Sequence, residues 1–414
     1  MTDLAWIDAA LTAARPQALG ALLRYFRDLD LAEEAYQEAC LRALRTWPDK
    51  GPPRDAAAWL IFVGRNLAID SLRRGAKQTA LPEEAAISDL DDVEAPLAER
   101  LDGAHYRDDI LRLLFVCCHP ALPANQQIAL ALRIVSGVPT ARIARAFLVG
   151  EAAMEQRITR AKARIAAAGL PFEAPDADAR AERLSAVAAM IYLAFNEGYS
   201  TAGGEGARAG FAAEAIRLGR LLLRLFPGDP ETMGLLALML LQHARAAARF
   251  DAAGEIILLE EQERALWDRN AIAEGLALVD KAMRHRRPGP YQVQAAIAAL
   301  HARAATAADT DWAGIDRLYA TLEVMTPSPV VSLNRAVAVS KVAGPAAALA
   351  MVEPLGDRLS GYFHFFGLRG ALLLQLGRRD EAARAFDRAI ALANTPAEAA
   401  HIRRHLDLLM AEAE

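Results

Sequence analysis

The chain from residue 140 to 151 reads Thr140-Ala141-Arg142-Ile143-Ala144-Arg145-Ala146-Phe147-Leu148-Val149-Gly150-Glu151. Ile143, Ala144 and Phe147 share one face of a short helix, and Gly150 marks a tight turn before a new helix begins. That second helix runs to about Ala167. Met154, Ile158, Ala161 and Ile165 form its apolar side, leaving Glu155, Gln156, Arg157, Thr159, Arg160, Lys162 and Arg164 exposed. A helix pair of this kind with a basic second member is a helix-turn-helix, whose second helix enters the DNA major groove by its N-terminal residues. Glu151, Ala152, Glu155 and Gln156 are therefore candidate base readers, with Thr140 in the same DNA-facing set. Arg157, Arg160, Lys162 and Arg164 are candidate phosphate clamps. Gly-linked helix pairs also occur in helical proteins that never meet DNA, so the motif alone leaves both readings open.

The basic character is local. Over the 414 residues the net charge is −5, which argues against a chain that binds nucleic acid with its whole surface. Between Arg133 and Arg164, however, stand Arg133, Arg142, Arg145, Arg157, Arg160, Lys162 and Arg164 against Glu151 and Glu155 alone. A second island, Arg65, Arg73, Arg74 and Lys77 against Asp70, closes an earlier helix. From Leu81 to Asp102 the acids Glu83, Glu84, Asp89, Asp91, Asp92, Glu94, Glu99 and Asp102 face only Arg100, the composition of a solvated linker. With 54% apolar residues, scarce β-branched runs and apolar positions returning with helical spacing, the chain is predicted to be globular and all-α. The boundaries expected are 1–78 for a first module, 79–104 for the acidic linker, 105–170 for the helix-turn-helix module and 179–414 for a third region.

In the first module Leu19, Leu22, Leu23 and Phe26 make one helical stripe, and Tyr36, Ala39, Cys40, Ala43, Leu44 and Trp47 make a facing one. The far side of the second helix carries Glu33, Glu34, Gln37, Glu38, Arg42 and Arg45. Such a strip is either plain solvated surface, with acids suited to a helix N-terminus, or a docking face. Pro48, Gly51, Pro52 and Pro53 end that pattern. A third helix follows from about Asp55, with Trp59, Leu60, Val63 and Leu67 inward. On its other face Phe62, Asn66, Ile69, Asp70 and Arg73 succeed one another at helical steps, with Arg65 and Arg74 adjacent. An aromatic, an amide and several cations in one row suit an unpaired base and its backbone, though an ordinary amphipathic helix also carries them.

The third region breaks at Phe226-Pro-Gly-Asp-Pro230, Arg287-Pro-Gly-Pro290, Thr326-Pro-Ser-Pro329 and Ala343-Gly-Pro345, which predicts a succession of helices. Phe366, Gly370, Leu373, Gly377, Ala382, Phe386 and Ala389 fit a tetratricopeptide template, with Pro396 slightly late. Earlier segments fit loosely, so the expectation is an irregular helical array with room for a peptide, protein or small ligand. Ala252–Glu261 reads as a short hairpin or a long loop. The sequence holds no phosphate loop, nucleotide fingerprint or triad-like set, and no cofactor is expected. Cys117-Cys118-His119 lacks the second ligand cluster that zinc needs, so no metal is expected. Phe195-Asn-Glu-Gly-Tyr199 is read as a helix C-cap beside a buried tyrosine in preference to an active-site loop. Three cysteines suit a reducing compartment; no secretory start or membrane-length apolar run is seen, and a cytoplasmic location with no membrane partner is expected.

Three of these segments, in order, carry a family resemblance. Leu31-Ala-Glu-Glu-Ala-Tyr-Gln-Glu-Ala-Cys-Leu-Arg-Ala-Leu44 resembles the polymerase-binding helix of extracytoplasmic-function sigma factors. Trp59-Leu60 with Gly64-Arg-Asn-Leu-Ala-Ile-Asp-Ser-Leu-Arg-Arg74 resembles their minus-ten-reading helix, and Thr140–Ile165 their minus-thirty-five module. Cys117–Leu122, Ile191–Ser200 and Thr326–Arg335 resemble the subgroup with a tetratricopeptide-like C-terminal extension. The resemblance implies a non-enzymatic factor that binds core RNA polymerase and promoter DNA. Glu33, Glu34, Gln37, Glu38 and Leu41 would dock on polymerase. Phe62, Arg65, Asn66, Asp70, Arg73 and Arg74 would meet the minus-ten element, with a base flipped toward the loop near Trp47 to Asp55. Tyr36, where relatives carry a small aliphatic residue, and the acids Glu151 and Glu155 depart from the family pattern. The rival reading is a helix-turn-helix repressor or activator with a helical sensor; a further rival places the business of the chain in the C-terminal array, as an enzyme or scaffold.

Overall fold

The computed structural model describes residues 5–76, 103–147, 149–168, 177–199, 209–251, 254–393 and 396–411. Within them the regular structure is helical, with a single antiparallel bridge between Phe250 and Ile256. The chain divides into two compact units, Met1–Ala194 and Phe195–Glu414.

The first unit opens with α1 (Ala5–Phe26), α2 (Leu29–Lys50) and α3 (Ala56–Ala76), which pack on one another. Asp28 caps α2 by accepting from the Asp30 and Leu31 amides at 2.8 and 3.0 Å, and Asp55 starts α3 by accepting from Ala58 at 3.0 Å. Leu19, Leu22 and Leu23 of α1, Tyr36, Ala39, Ala43 and Trp47 of α2, and Leu60 and Val63 of α3 are buried together. Each large side chain so placed contributes roughly 2 kcal/mol of burial. Trp47 sits between Trp6, stacked at 6.2 Å, and Trp59, edge-on at 5.3 Å. Leu44, expected inward, is 47% exposed instead. It lies at the edge of the stripe, where the twist of a straight helix carries the eighth residue partly out of the seam.

The helix-turn-helix module is α4 (Gly103–Cys117), α5 (Ala124–Ile134), α6 (Thr140–Ala146) and α7 (Glu151–Ala167). It closes around Leu113, Leu114, Leu130, Leu132, Ile143, Met154, Ile158 and Ile165. It is not a separate body, because α4 lies against α1. A Cβ on Gly20 would stand 2.6 Å from the Asp109 carbonyl oxygen, so only glycine permits this approach. The acidic stretch Leu81–Asp102 lies outside the described residues. From Ala177–Tyr199 (α8) the chain passes into the second unit.

That unit continues with α9 (Ala209–Leu225), α10 (Pro230–His243), α11 (Arg269–Met283), α12 (Pro290–Arg303), α13 (Trp312–Met325), α14 (Pro329–Val342), α15 (Pro345–Val352), α16 (Phe363–Gln375), α17 (Arg379–Leu392) and α18 (Pro396–Ala411). Helices here pack mainly on their chain neighbours, as in a helical array. Four of the breaks seen in the sequence are helix starts with proline at the first position, Pro230, Pro290, Pro329 and Pro345, where the missing N–H has no intrahelical partner to lose. Gly370 of the tetratricopeptide-like segment faces the Phe386 ring, and a Cβ there would lie 2.5 Å from it. Between α10 and α11 the Ile257 amide donates to Arg249 and the Asp251 amide to Glu255, at 2.9 and 3.0 Å, a minimal hairpin.

Candidate nucleic-acid and polymerase interface

On α7 the groove-facing candidates Glu151, Ala152, Glu155 and Gln156 are exposed together at the N-terminal end, and Arg160 and Arg164 are exposed further along. Arg157 is half-buried with its guanidinium over the Phe147 ring at 6.0 Å, and Arg164 donates to Gln126 at 3.2 Å. Thr140 is half-buried at the start of α6. Lys162, expected among the exposed clamps, is turned inward: its side chain is 15% exposed and donates to Asp30 at 2.7 Å and Glu33 at 2.8 Å on α2. Burial by itself would push the Lys162 ammonium down, but the hydrogen bonds it donates to Asp30 and Glu33, with their negative charges, outweigh that and hold it above the ordinary lysine value.

On α2 the strip is split. Glu34, Gln37, Glu38 and Leu41 are exposed, as a docking face requires, whereas Glu33, expected beside them, is buried at 6% exposure. Its carboxylate faces Lys162, Arg133 at 3.2 Å and Arg15 at 3.7 Å. Arg15 itself is a buried cation. It donates from Nε to the Ile134 carbonyl at 2.8 Å and from its terminal nitrogen to Arg133 at 3.2 Å, and stands over the Tyr36 ring at 4.8 Å. These carbonyls end α5, where the helix dipole favours a positive charge. Gly137, at φ +72°, turns the chain so that Arg15 fits beneath it. Tyr36 donates to the Leu11 carbonyl at 2.9 Å, so the unusual tyrosine is anchored in the α1–α2 seam; burial pushes its phenol up.

On α3, Phe62, Asn66 and Asp70 are half-buried, and Arg65 stands over the half-exposed Tyr25 ring at 5.5 Å. The side chains of Arg73 and Arg74 lie outside the described residues. Trp47 is 2% exposed, so the loop onto which a flipped base was expected to move presents residues after it, beginning at Gly51, and not the indole.

Sequence reasoning missed Arg15, Asp30 and Asp109. Asp109, 1% exposed, is held by Arg24 at 3.1 Å and Arg112 at 2.7 Å. One signal for Arg15 was present: it stands four residues from both Leu11 and Leu19, so a charge interrupts an apolar stripe and demands a buried partner. Cys117 and Cys118 are buried free thiols, both pushed up by desolvation. His119 serves the following turn, accepting from the Ala121 amide at 3.1 Å. No group of three His, Cys, Asp or Glu side chains arranged for a metal occurs among the described residues. In the second unit α8 runs helically through Tyr199, so Gly198 is not the cap it was read to be. Tyr199 accepts from Arg245 at 2.9 Å, and the Arg249 guanidinium lies over its ring at 3.7 Å. No helix among the described residues is long and apolar enough to cross a membrane.

Comparison with known proteins fits this geometry. Sigma-70 region 2 matches residues 11–78, sigma-70 region 4 matches 112–165, and a family of unknown function (DUF6596) matches 183–283. The chain is 72% identical over 413 residues to the uncharacterized protein R00370 of Rhizobium meliloti (strain 1021), spanning all of this chain and 98% of that protein. Among solved structures the yeast Tom70 crystal structure aligns over 98% of this chain and 85% of its own, at 13% identity and a TM-score of 0.39, too distant to carry an argument. A three-helix module with a helix-turn-helix module behind it, and the two sigma-70 matches on those modules, define a transcription initiation factor and not an enzyme. Sigma-70 regions 2 and 4 on residues 11–78 and 112–165 support a sigma factor that binds RNA polymerase and DNA.

Proposed function

We propose that this sigma factor is of the extracytoplasmic-function type, with residues 1–78 serving polymerase and the minus-ten element, 105–170 the minus-thirty-five element, and 179–414 a tetratricopeptide-like regulatory extension. The observation that carries the reading is the pairing of two exposed faces: Glu34, Gln37, Glu38 and Leu41 on α2, and Glu151, Ala152, Glu155 and Gln156 at the entry of α7. The first offers carboxylates to a basic coiled-coil partner; the second offers base-edge acceptors where a recognition helix enters the groove. The short interval between the two sigma-70 matches, from 78 to 112, supports a factor of two DNA-binding regions only.

Such a factor makes and breaks no covalent bond. It opens the promoter by capturing unpaired bases, offsetting an unstacking cost on the order of a few kcal/mol per base. Holding both elements at once makes the second contact intramolecular. The C-terminal array, fused covalently to the two modules, regulates them in cis and takes a peptide, protein or small ligand; the whole acts in the cytoplasm. Run-off transcription with core RNA polymerase tests the reading. Initiation at defined start sites, lost on combined Glu34→Ala and Glu38→Ala substitution, supports it; DNA binding with no initiation would establish the repressor reading instead. A chain ending at residue 175 that matches the full chain in transcription and polymerase affinity would refute regulation by the array.

A further inference from the structure

Three guanidinium groups converge in the second unit, where the chain passes from α10 to α11. Arg249 lies over the Tyr199 ring at 3.7 Å and donates to the Tyr199 carbonyl. Arg245 donates to the Tyr199 hydroxyl at 2.9 Å and stands over the Trp267 ring at 6.0 Å, on which Arg264 also stands, at 4.6 Å. Two aromatic rings thus bring the three cations together, and all three are half-buried. Among the described residues no carboxylate pairs with any of them. The acids close by are engaged elsewhere: Glu260 with Lys341 at 2.8 Å, Asp268 with the first-turn amides of α11, and Asp309 with Thr306.

Helix capping accounts for two of the three. Arg264 donates to the His301 and Ala304 carbonyls at 2.7 and 2.9 Å, at the end of α12, and Arg249 to the carbonyl that ends α8, positions where the helix dipole favours a cation. Arg245 caps nothing, and its hydrogen bond goes to a neutral phenol. Yet its charge reaches both of the others. Burial first, and then Arg245, pushes Arg264 down; burial and Arg245 together hold Arg249 below its ordinary value against the pull of Tyr199. Capped helix ends alone give no reason for a third guanidinium here, since like charges that are partly withdrawn from water repel at a cost. The Trp267 side chain, 3% exposed, adds an indole N–H with no acceptor, a state that buried donors ordinarily avoid.

The geometry points to a binding site for a small, multiply charged oxyanion, a phosphate or a dicarboxylate, seated among Arg245, Arg249 and Arg264 beside Tyr199 and Trp267. Such an ion supplies the missing counter-charge and accepts from guanidinium forks that match carboxylate and phosphate oxygens alike. The half-buried setting suits a compact ion better than a long polyanion. The site gives a chemical class to the small ligand proposed for the array, and in that respect it rests on the proposed function; the binding itself does not.

The test uses the full chain with isotopically labelled tryptophan nitrogens, so that each of the five tryptophans gives one indole N–H resonance, and Trp267→Phe identifies the signal of Trp267. Inorganic phosphate, and succinate in a parallel titration, are added to millimolar concentration at constant ionic strength, with chloride as the reference anion. The expected result is a saturable movement of the Trp267 resonance while those of Trp6, Trp47 and Trp59 stay still. Affinity is expected to fall about tenfold in Arg245→Gln, which removes a charged donor without uncapping a helix. Lys341→Gln, at a cation already paired with Glu260, is expected to leave it unchanged. Phosphate is further expected to raise the Tm of the wild-type chain and not that of Arg245→Gln. Response to phosphate alone assigns a phosphoryl ligand, and response to succinate alone a carboxylate one. A resonance that neither anion moves, that chloride moves equally, or that responds with equal affinity in Arg245→Gln would overturn the site and leave Arg245 a structural cation. No polymerase or promoter enters this titration, so its failure leaves the sigma reading standing, and failure of the run-off assay leaves the anion site standing.

Discussion

Glu33 concentrates what is unusual about the first unit. A buried carboxylate facing three cations is tolerated because each desolvated charge has a counter-charge, and removing the hub leaves Arg15, Arg133 and Lys162 facing one another. Glu33→Gln is expected to lower the unfolding free energy by about 3 kcal/mol in urea denaturation, whereas the exposed Glu38→Gln stays within about 0.5. Equal small effects would show that the cluster is solvated and not structural. On α7 the exposed cations behave differently. Arg160→Ala is expected to weaken binding to every promoter sequence alike and to reduce the salt dependence by about one counterion, while Glu155→Ala redistributes preference among minus-thirty-five sequences. Titrations at several salt concentrations distinguish the two. The exposure of Glu34, Gln37, Glu38 and Leu41, and of the entry of α7, was legible at this scale, because helical spacing puts them on the polar faces of their helices. Glu33 and Lys162 were not, because spacing distinguishes the apolar from the polar face of a helix and says nothing of which polar residues meet a partner more than a hundred positions away.

Helix boundaries were the most legible elements, since each rests on local chemistry. Asp28, Asp229, Asp268 and Asp311 accept from first-turn amides, and four prolines stand where their rings cost nothing. Close approaches between helices were legible only as small residues in a template. Gly370→Ala is expected to cost about 1–3 kcal/mol of stability by driving a methyl into Phe386, and Gly370→Ala with Phe386→Leu to recover part of it. Thermal unfolding reads both; a neutral Gly370→Ala would mean that α16 and α17 do not meet at this glycine. The α12–α13 junction carries a pH dependence. Burial, then the charges of Arg245 and Arg264, push His301 from 6.5 down to about 4. The folded chain therefore favours the neutral imidazole, and stability present above pH 6.5 is lost as pH falls through that window toward 4, up to about 3 kcal/mol. His301→Gln is expected to flatten this acid limb in denaturation measured from pH 7 to 4; an unchanged limb would assign the loss to other groups.

For the molecule as a whole, fold class followed from composition and periodicity, and the presence of sigma-70 regions 2 and 4 from three segments in the right order. The association of the helix-turn-helix module with α1–α3 in one compact unit did not. The acidic stretch between the modules reads as a tether under any arrangement, and the surfaces that bring them together, Gly20 on Asp109 and Arg15 on the end of α5, are single residues inside otherwise apolar stripes. The account stands most directly on transcription itself. Purified full-length chain, added to core RNA polymerase with a fragmented genomic template, is expected to yield discrete run-off transcripts that core alone does not make and that vanish with the Glu34→Ala, Glu38→Ala double substitution. DNA binding without a single factor-dependent start on any fragment would contradict it.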